Sequence, residues 1–186
     1  MYLRIKASPF FDRGIFGDPV FPAGISFTDG AAVQTNSLGP LTFESNCDTE
    51  NPPRHYMGGA LPVWTSTMMA AFRSAGVDNF QAVAARISGL GGEIWDDYFA
   101  INILGSIAVA DLGKSKFIEI MKRPSGAPFL GFQELVIDPA KANNSAFFRL
   151  AENPIEVLIH ERIVAALKSA APAGGWGFLT RQVATA

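Results

Sequence analysis

Between residues 132 and 179 three apolar runs and a helix follow one another with almost no slack, and this stretch limits the possible folds more than any other. Residues 132–137 (Phe-Gln-Glu-Leu-Val-Ile), 147–150 (Phe-Phe-Arg-Leu) and 155–159 (Ile-Glu-Val-Leu-Ile) are each of strand length and bounded by Pro, Asn, Asp or Ser. Residues 161–170 read as a helix. Ile163, Val164, Ala166 and Leu167 recur at three- and four-residue spacing, Glu161 stands in the first turn and Lys168 in the last. His160 occupies the helix start, where Ser or Asp is the usual cap. Pro172 and the Gly174-Gly175 pair stop the helix, and residues 176–179 (Trp-Gly-Phe-Leu) form a short strand that returns to the sheet.

The rest of the chain divides by character. Residues 2–6 alternate as a strand, but from Ser8 to Pro62 Pro and Gly recur too often for a long helix. Phe10, Phe11, Phe16, Phe21, Phe27 and Phe43 punctuate that part. Two readings fit them: rings that pin irregular chain to a core, or an exposed aromatic docking face. After Pro62, Thr65 or Ser66 caps a helix with Met68, Met69 and Phe72 on its inner side, and Gly76 ends it. Residues 79–87 form a strand with Val83, Ala85 and Ile87 on one face; 98–104, 107–110 and 116–121 are further strand segments, and 124–128 turn the chain back. Together these make about seven or eight strands and two principal helices, an α+β fold with a mainly antiparallel sheet. Strand 155–159, its helix and strand 176–179 also fit a crossover with a parallel pair, which would make the sheet mixed.

At 186 residues, 48% of them hydrophobic, the chain has the length and the apolar content for a single domain, with residues 1–60 as an irregular part attached to a regular core over 61–180. A net charge of −2 with scattered basic residues lacks the density and clustering of a nucleic-acid-binding surface, and no direct nucleic-acid binding is expected. Cys47 is the one cysteine, which rules out an internal disulfide and any multi-cysteine zinc site. Pro9 and Asp12-Arg13 interrupt the start before an apolar signal region can form, and no stretch is long enough to span a bilayer; a cytoplasmic protein with no membrane partner is expected.

Reactive groups are sparse. His55 and His160 are the only histidines, and the spacing of Cys47 and His55 matches no metal-ligand or thiol-protease signature. His55 reads as a solvent-exposed loop residue. Gly89-Leu90-Gly91-Gly92 lacks the Gly-Lys-Ser/Thr of a phosphate cradle and is followed by an acid, so it reads as a turn. No catalytic set, metal site or cofactor is expected. The polar group of interest is Glu93, Trp95, Asp96 and Asp97: either a solvated acidic loop, or carboxylates around an aromatic anchor that suit a protein interface. Asp96 and Asp97 on an extended segment would face opposite ways unless the strand bends.

Residues 98–104, Asp111-Leu112 with Lys114-Ser115-Lys116-Phe117, Phe148-Arg149-Leu150, Val157-Leu158-Ile159 and Gly175-Trp176-Gly177-Phe178 together resemble a family of immunity proteins from bacterial polymorphic toxin systems. The resemblance covers residues 61–180 and is a pattern of apolar strands with a few polar landmarks. It implies a cognate protein toxin as partner, encoded by the adjacent gene, with a type VI secretion nuclease effector as the favoured kind. The toxin would be blocked by occlusion, with Glu93, Trp95, Asp96 and Asp97 on the binding surface. A small hydrolase or transferase using His55, and a structural module without a toxin, are the competing classes.

Overall fold

The computed structural model describes residues 1–8, 13–17, 19–122 and 128–186. The Pro- and Gly-punctuated first third holds short strands between loops: β1 (Tyr2–Ala7), β2 (Ile15–Phe16), β3 (Leu41–Ser45), β4 (Tyr56–Met57) and β5 (Val63–Thr65). Thr65 caps α1 (Ser66–Ser74) by accepting from the Met68 N–H, and Gly76, at φ 84°, turns the chain toward β6 (Phe80–Ser88) and β7 (Ile94–Ile103). Next come β8 (Ser106–Ile107), β9 (Lys116–Met121), β10 (Phe129–Glu134), β11 (Val136–Ile137), β12 (Phe147–Leu150) and β13 (Asn153–His160). Then α2 (Glu161–Ser169) leads to β14 (Phe178–Gln182) and β15 (Ala184–Thr185). The fold is α+β, with fifteen strands and two α-helices among the described residues. More strands exist than the sequence suggests because β2, β4, β8, β11 and β15 are two-residue pairings, too short to leave a periodicity.

The strands form a six-stranded sheet in the order β2-β3-β6-β7-β5-β4 and a five-stranded sheet in the order β14-β1-β13-β12-β8, with β9–β10 and β11–β15 as separate pairs. The sheets are mixed, as the crossover reading allowed, but the parallel pairs are β3–β6, β8–β12 and β11–β15. Strands β13 and β14, which flank α2, are not neighbours. β1 lies between them and pairs antiparallel with both. Inserted there, β1 finds partners for its backbone groups on both edges, and it buries Tyr2 on one face and Ile5 on the other.

Alternation along the strands sorts the apolar side chains into three layers. Trp64, Ile101 and Ile103 from the six-stranded sheet meet Ile5, Phe147, Val157 and Ile159 from the five-stranded sheet, and α1 and α2 add Phe72 and Leu167. Trp64 stacks on Phe72 with centroids 4.2 Å apart. Outside the six-stranded sheet lie Phe27, Phe43, Val63, Ile87 and Tyr98; outside the five-stranded sheet lie Tyr2, Phe148, Leu150, Leu158 and Ile137. Of the N-terminal rings, Phe27 and Phe43 are buried, Phe21 stacks on Phe27 at 4.8 Å, and Phe16 is exposed. Phe10, Phe11 and residues 124–127 of the expected turn lie outside the described residues. Among the described residues no helix is long and apolar enough to cross a membrane.

Candidate functional site

The acidic segment sits at the β6–β7 hairpin, and the structure gives its members different environments. Only Glu93 belongs to the turn, because β7 begins at Ile94. The turn closes through the Gly89 N–H, which donates to the Glu93 carbonyl at 2.8 Å, and the Leu90 N–H ties it to the Cys47 carbonyl beyond β3 at 3.0 Å. A Cβ on Gly89 would stand 2.7 Å from Glu93 Oε2, 2.8 Å from the Cys47 carbonyl oxygen and 2.9 Å from the Trp95 ring, so no larger residue fits without moving backbone. The Glu93 carboxylate folds back on its own loop and accepts from the Gly91 N–H at 2.8 Å.

Asp96 and Asp97 stand at a β-bulge. Ala85 pairs with Tyr98 but Ile87 pairs with Trp95, so two residues of β7 oppose Arg86 alone, which is the bend that adjacent acids need to share one end. Asp96 Oδ1 accepts from Arg86 Nε at 2.6 Å, and Asp97 Oδ2 accepts from Ser66 Oγ, on the first residue of α1, at 2.8 Å. Both aspartates remain exposed. Trp95 packs partly buried against the outer cluster of Phe43, Cys47 and Ile87, and the apolar groups that project beside the acids are Leu90 and Ile94. The four residues singled out in the sequence thus share one end of the six-stranded sheet. Asp96 and Asp97 present carboxylates, Glu93 stiffens the turn, and Trp95 supports it from the core side.

Three further acids reach this end by tertiary structure. β3 runs parallel to β6 and places Glu44 opposite Ser88, on the same face as Arg86 and one pleat further along. The loop after β3 carries Asp48 and Glu50 beside the hairpin turn, where Asp48 Oδ1 accepts from the Asn51 N–H at 2.6 Å. Among the described residues, Arg86 with Asp96 is the one ion pair at this end. Nothing local marks Glu44, Asp48 and Glu50. Only the parallel register of two strands distant in sequence brings them here.

The residues that could carry chemistry have structural partners. His55 is half-buried and not the exposed loop residue expected. Its Nδ1 lies 2.8 Å from Thr65 Oγ1, and its ring meets the edge of Trp176 at 5.4 Å. Thr65 Oγ1 also accepts from the Met68 N–H at 3.2 Å, so one hydroxyl joins His55 to the start of α1. Burial holds the imidazole below the ordinary histidine range, with Asp97 pulling the other way. Cys47 is fully buried. His160 is the N-cap of α2, its Nδ1 accepting from the Arg162 N–H at 3.2 Å. Among the described residues no three His, Cys, Asp or Glu side chains gather as metal ligands.

The model of the Immunity protein family (Imm11) matches residues 26–184, and the chain belongs to that family. The match begins well before residue 61, where the sequence resemblance started, and takes in β3 and the loop bearing Asp48 and Glu50. No curated protein matches the chain.

Proposed function

We propose that this member of the immunity family neutralises a cognate protein toxin by binding it and covering its substrate surface, without chemistry of its own, and that the toxin is a nuclease of the kind carried by type VI secretion systems. The observation that supports a nuclease is the gathering of Glu44, Asp48, Glu50, Glu93, Asp96 and Asp97 at one end of the six-stranded sheet, where the nearby cations are Arg86, paired with Asp96, and Arg13, which donates to Asn51 Oδ1 at 3.1 Å. A nuclease must offer cations to phosphate, so a surface of fixed carboxylates occupies the same site and is drawn to it from a distance. Ser66 and Arg86 hold Asp97 and Asp96 in place, which lowers the ordering cost on binding, while Leu90 and Ile94 supply apolar contact beside them. The encounter takes place in the producing cell's cytoplasm, where the nucleic acid to be protected lies, and the toxin gene adjoins this one.

The test is kinetic. The neighbouring gene product should co-purify with the chain, and Asp96→Lys with Asp97→Lys should slow association about tenfold or more at low salt and flatten its salt dependence. Unchanged association kinetics would remove the acidic end from the interface. A partner with no nuclease activity would remove the nuclease.

A further inference from the structure

The outer face of the five-stranded sheet carries charge opposite in sign to that of the acidic end. Alternation along β1 turns Leu3, Ile5 and Ala7 toward the central layer and leaves Tyr2, Arg4 and Lys6 on the outer face. The strand register then sets Arg181 of β14 directly opposite Arg4, with Leu179 opposite Lys6. Residues opposed in this way have Cβ atoms about 5 Å apart, and like charges so placed are destabilising. One carboxylate answers them: Glu156, on the neighbouring strand β13, accepts from Arg4 Nη1 at 3.2 Å. That pair fixes the Arg4 side chain, which is 15% exposed. Among the described residues Lys6 and Arg181 have no carboxylate partner.

The three cations surround a cavity of about 260 Å³, lined by Arg4, Lys6, Glu156, Leu179, Thr180 and Arg181. A second, of about 220 Å³, shares Arg4 and Arg181 and adds Glu134 of β10, which Lys116 already engages at 2.8 Å. We infer that the first cavity is a binding site for a phosphate dianion, free or carried on a larger molecule, held between the guanidinium groups of Arg4 and Arg181 with Lys6 beside them. Charge selects the ligand, because three cations against one carboxylate leave two positive charges, the amount a dianion neutralises. Geometry agrees. A planar guanidinium presents paired N–H donors that match phosphate oxygens, and two of them on opposed residues can grip one group from both sides. Glu156 already positions Arg4, so one of the two is in place before the anion arrives, which lowers the ordering cost. Of the six lining residues Leu179 alone is apolar, which suits a small polar ligand better than an apolar one. The site lies on the other sheet from the acidic end and does not rest on the toxin-binding reading.

The probe is inorganic phosphate, titrated into the full chain and followed by the NMR shifts of its backbone amides. Amides of residues 4–6 and 179–182 should move saturably, and sodium chloride at the same ionic strength should not move them. Arg181→Gln should weaken phosphate binding about tenfold or more, the loss that goes with a charged hydrogen bond. Because Arg181 opposes Arg4, that variant should melt no lower than the unmodified protein in phosphate-free buffer, so a lost site is not mistaken for a lost fold. Arg181→Lys keeps the charge but not the forked donors and should bind with intermediate affinity. A nucleoside monophosphate in the same titration assigns the source. Tighter binding than inorganic phosphate places the group on a larger molecule, equal binding marks it as free, and either result supports the site. Shifts no larger than those from chloride, or equal phosphate affinity in Arg181→Gln and the unmodified chain, would overturn it.

Discussion

Two buried or half-buried ionisable residues make opposite demands on pH. Glu152 is buried at the β12–β13 turn; its Oε1 accepts from the Ala110 N–H at 3.1 Å while Oε2 has no hydrogen-bond partner among the described residues. Burial pushes its carboxyl above the ordinary value, only partly offset by that N–H and by Lys141. The fold therefore holds the proton more tightly than the unfolded chain. The stability this group contributes is complete in acid, below the ordinary carboxylate value, and is lost as pH rises through the folded value. Glu152→Gln resembles the protonated form at every pH. Its melting temperature should match that of the unmodified protein in acid and exceed it toward neutral pH; a constant difference across the range would show that Glu152 does not titrate with folding.

At the scale of elements, both helices depend on their first residue-to-backbone bond. The cap of α1 is a threonine and indifferent to pH, but that of α2 is His160, which accepts only while Nδ1 is unprotonated. Burial lowers the imidazole, and the nearby amino terminus and Arg162 act in the same direction, with Glu161 opposing them. A depressed folded value means that this contribution is present above the ordinary histidine value and is lost as pH falls through the folded one, the reverse of Glu152. His160→Asn supplies a cap that does not titrate. It should retain more of its neutral-pH stability at pH about 5 than the unmodified protein does, read from paired melts at the two pH values. Strand existence was similarly local: residues 147–150 were expected as a strand and are β12 without a shift. Strand partnership was not, and β1 shows why. Its pattern announces a strand with two faces but contains nothing that chooses β13 and β14 as its neighbours.

Across the whole molecule, Arg149 ties the two sheets together. It is fully buried on β12, where one guanidinium nitrogen donates to the Pro154 carbonyl at 2.6 Å and the other to the Ala60 carbonyl, in the loop between β4 and β5, at 3.0 Å. Burial pushes it down to about 10, with Tyr56 and Asp29 opposing, so it remains charged at neutral pH. Carbonyl dipoles, with no carboxylate bonded to it among the described residues, thus hold a cation inside the protein. Arg149→Leu would leave both carbonyls without that donor and should cost about 2 kcal/mol or more in denaturant unfolding, even after relief from a buried charge. A neutral result would mean that water replaces the lost donors.

What the sequence determined by itself is what depends on neighbours a few residues apart. The apolar faces of α1 and α2, the Thr65 cap, the buried Leu158 and Leu167, and the glycine turn at residues 89–92 all follow from local spacing. The acidic group was visible at Glu93, Asp96 and Asp97 because those acids lie close together in sequence. Its larger extent was not. Glu44, Asp48 and Glu50 join it through the parallel register of β3 on β6, and the bulge that lets Asp96 and Asp97 share one end is a mismatch in pairing between strands. The inward packing of Trp95 was likewise decided by which surfaces the rest of the chain covered. Backbone hydrogen bonds are the same for every residue, so a strand's pattern specifies its faces while only the assembled core selects its partners.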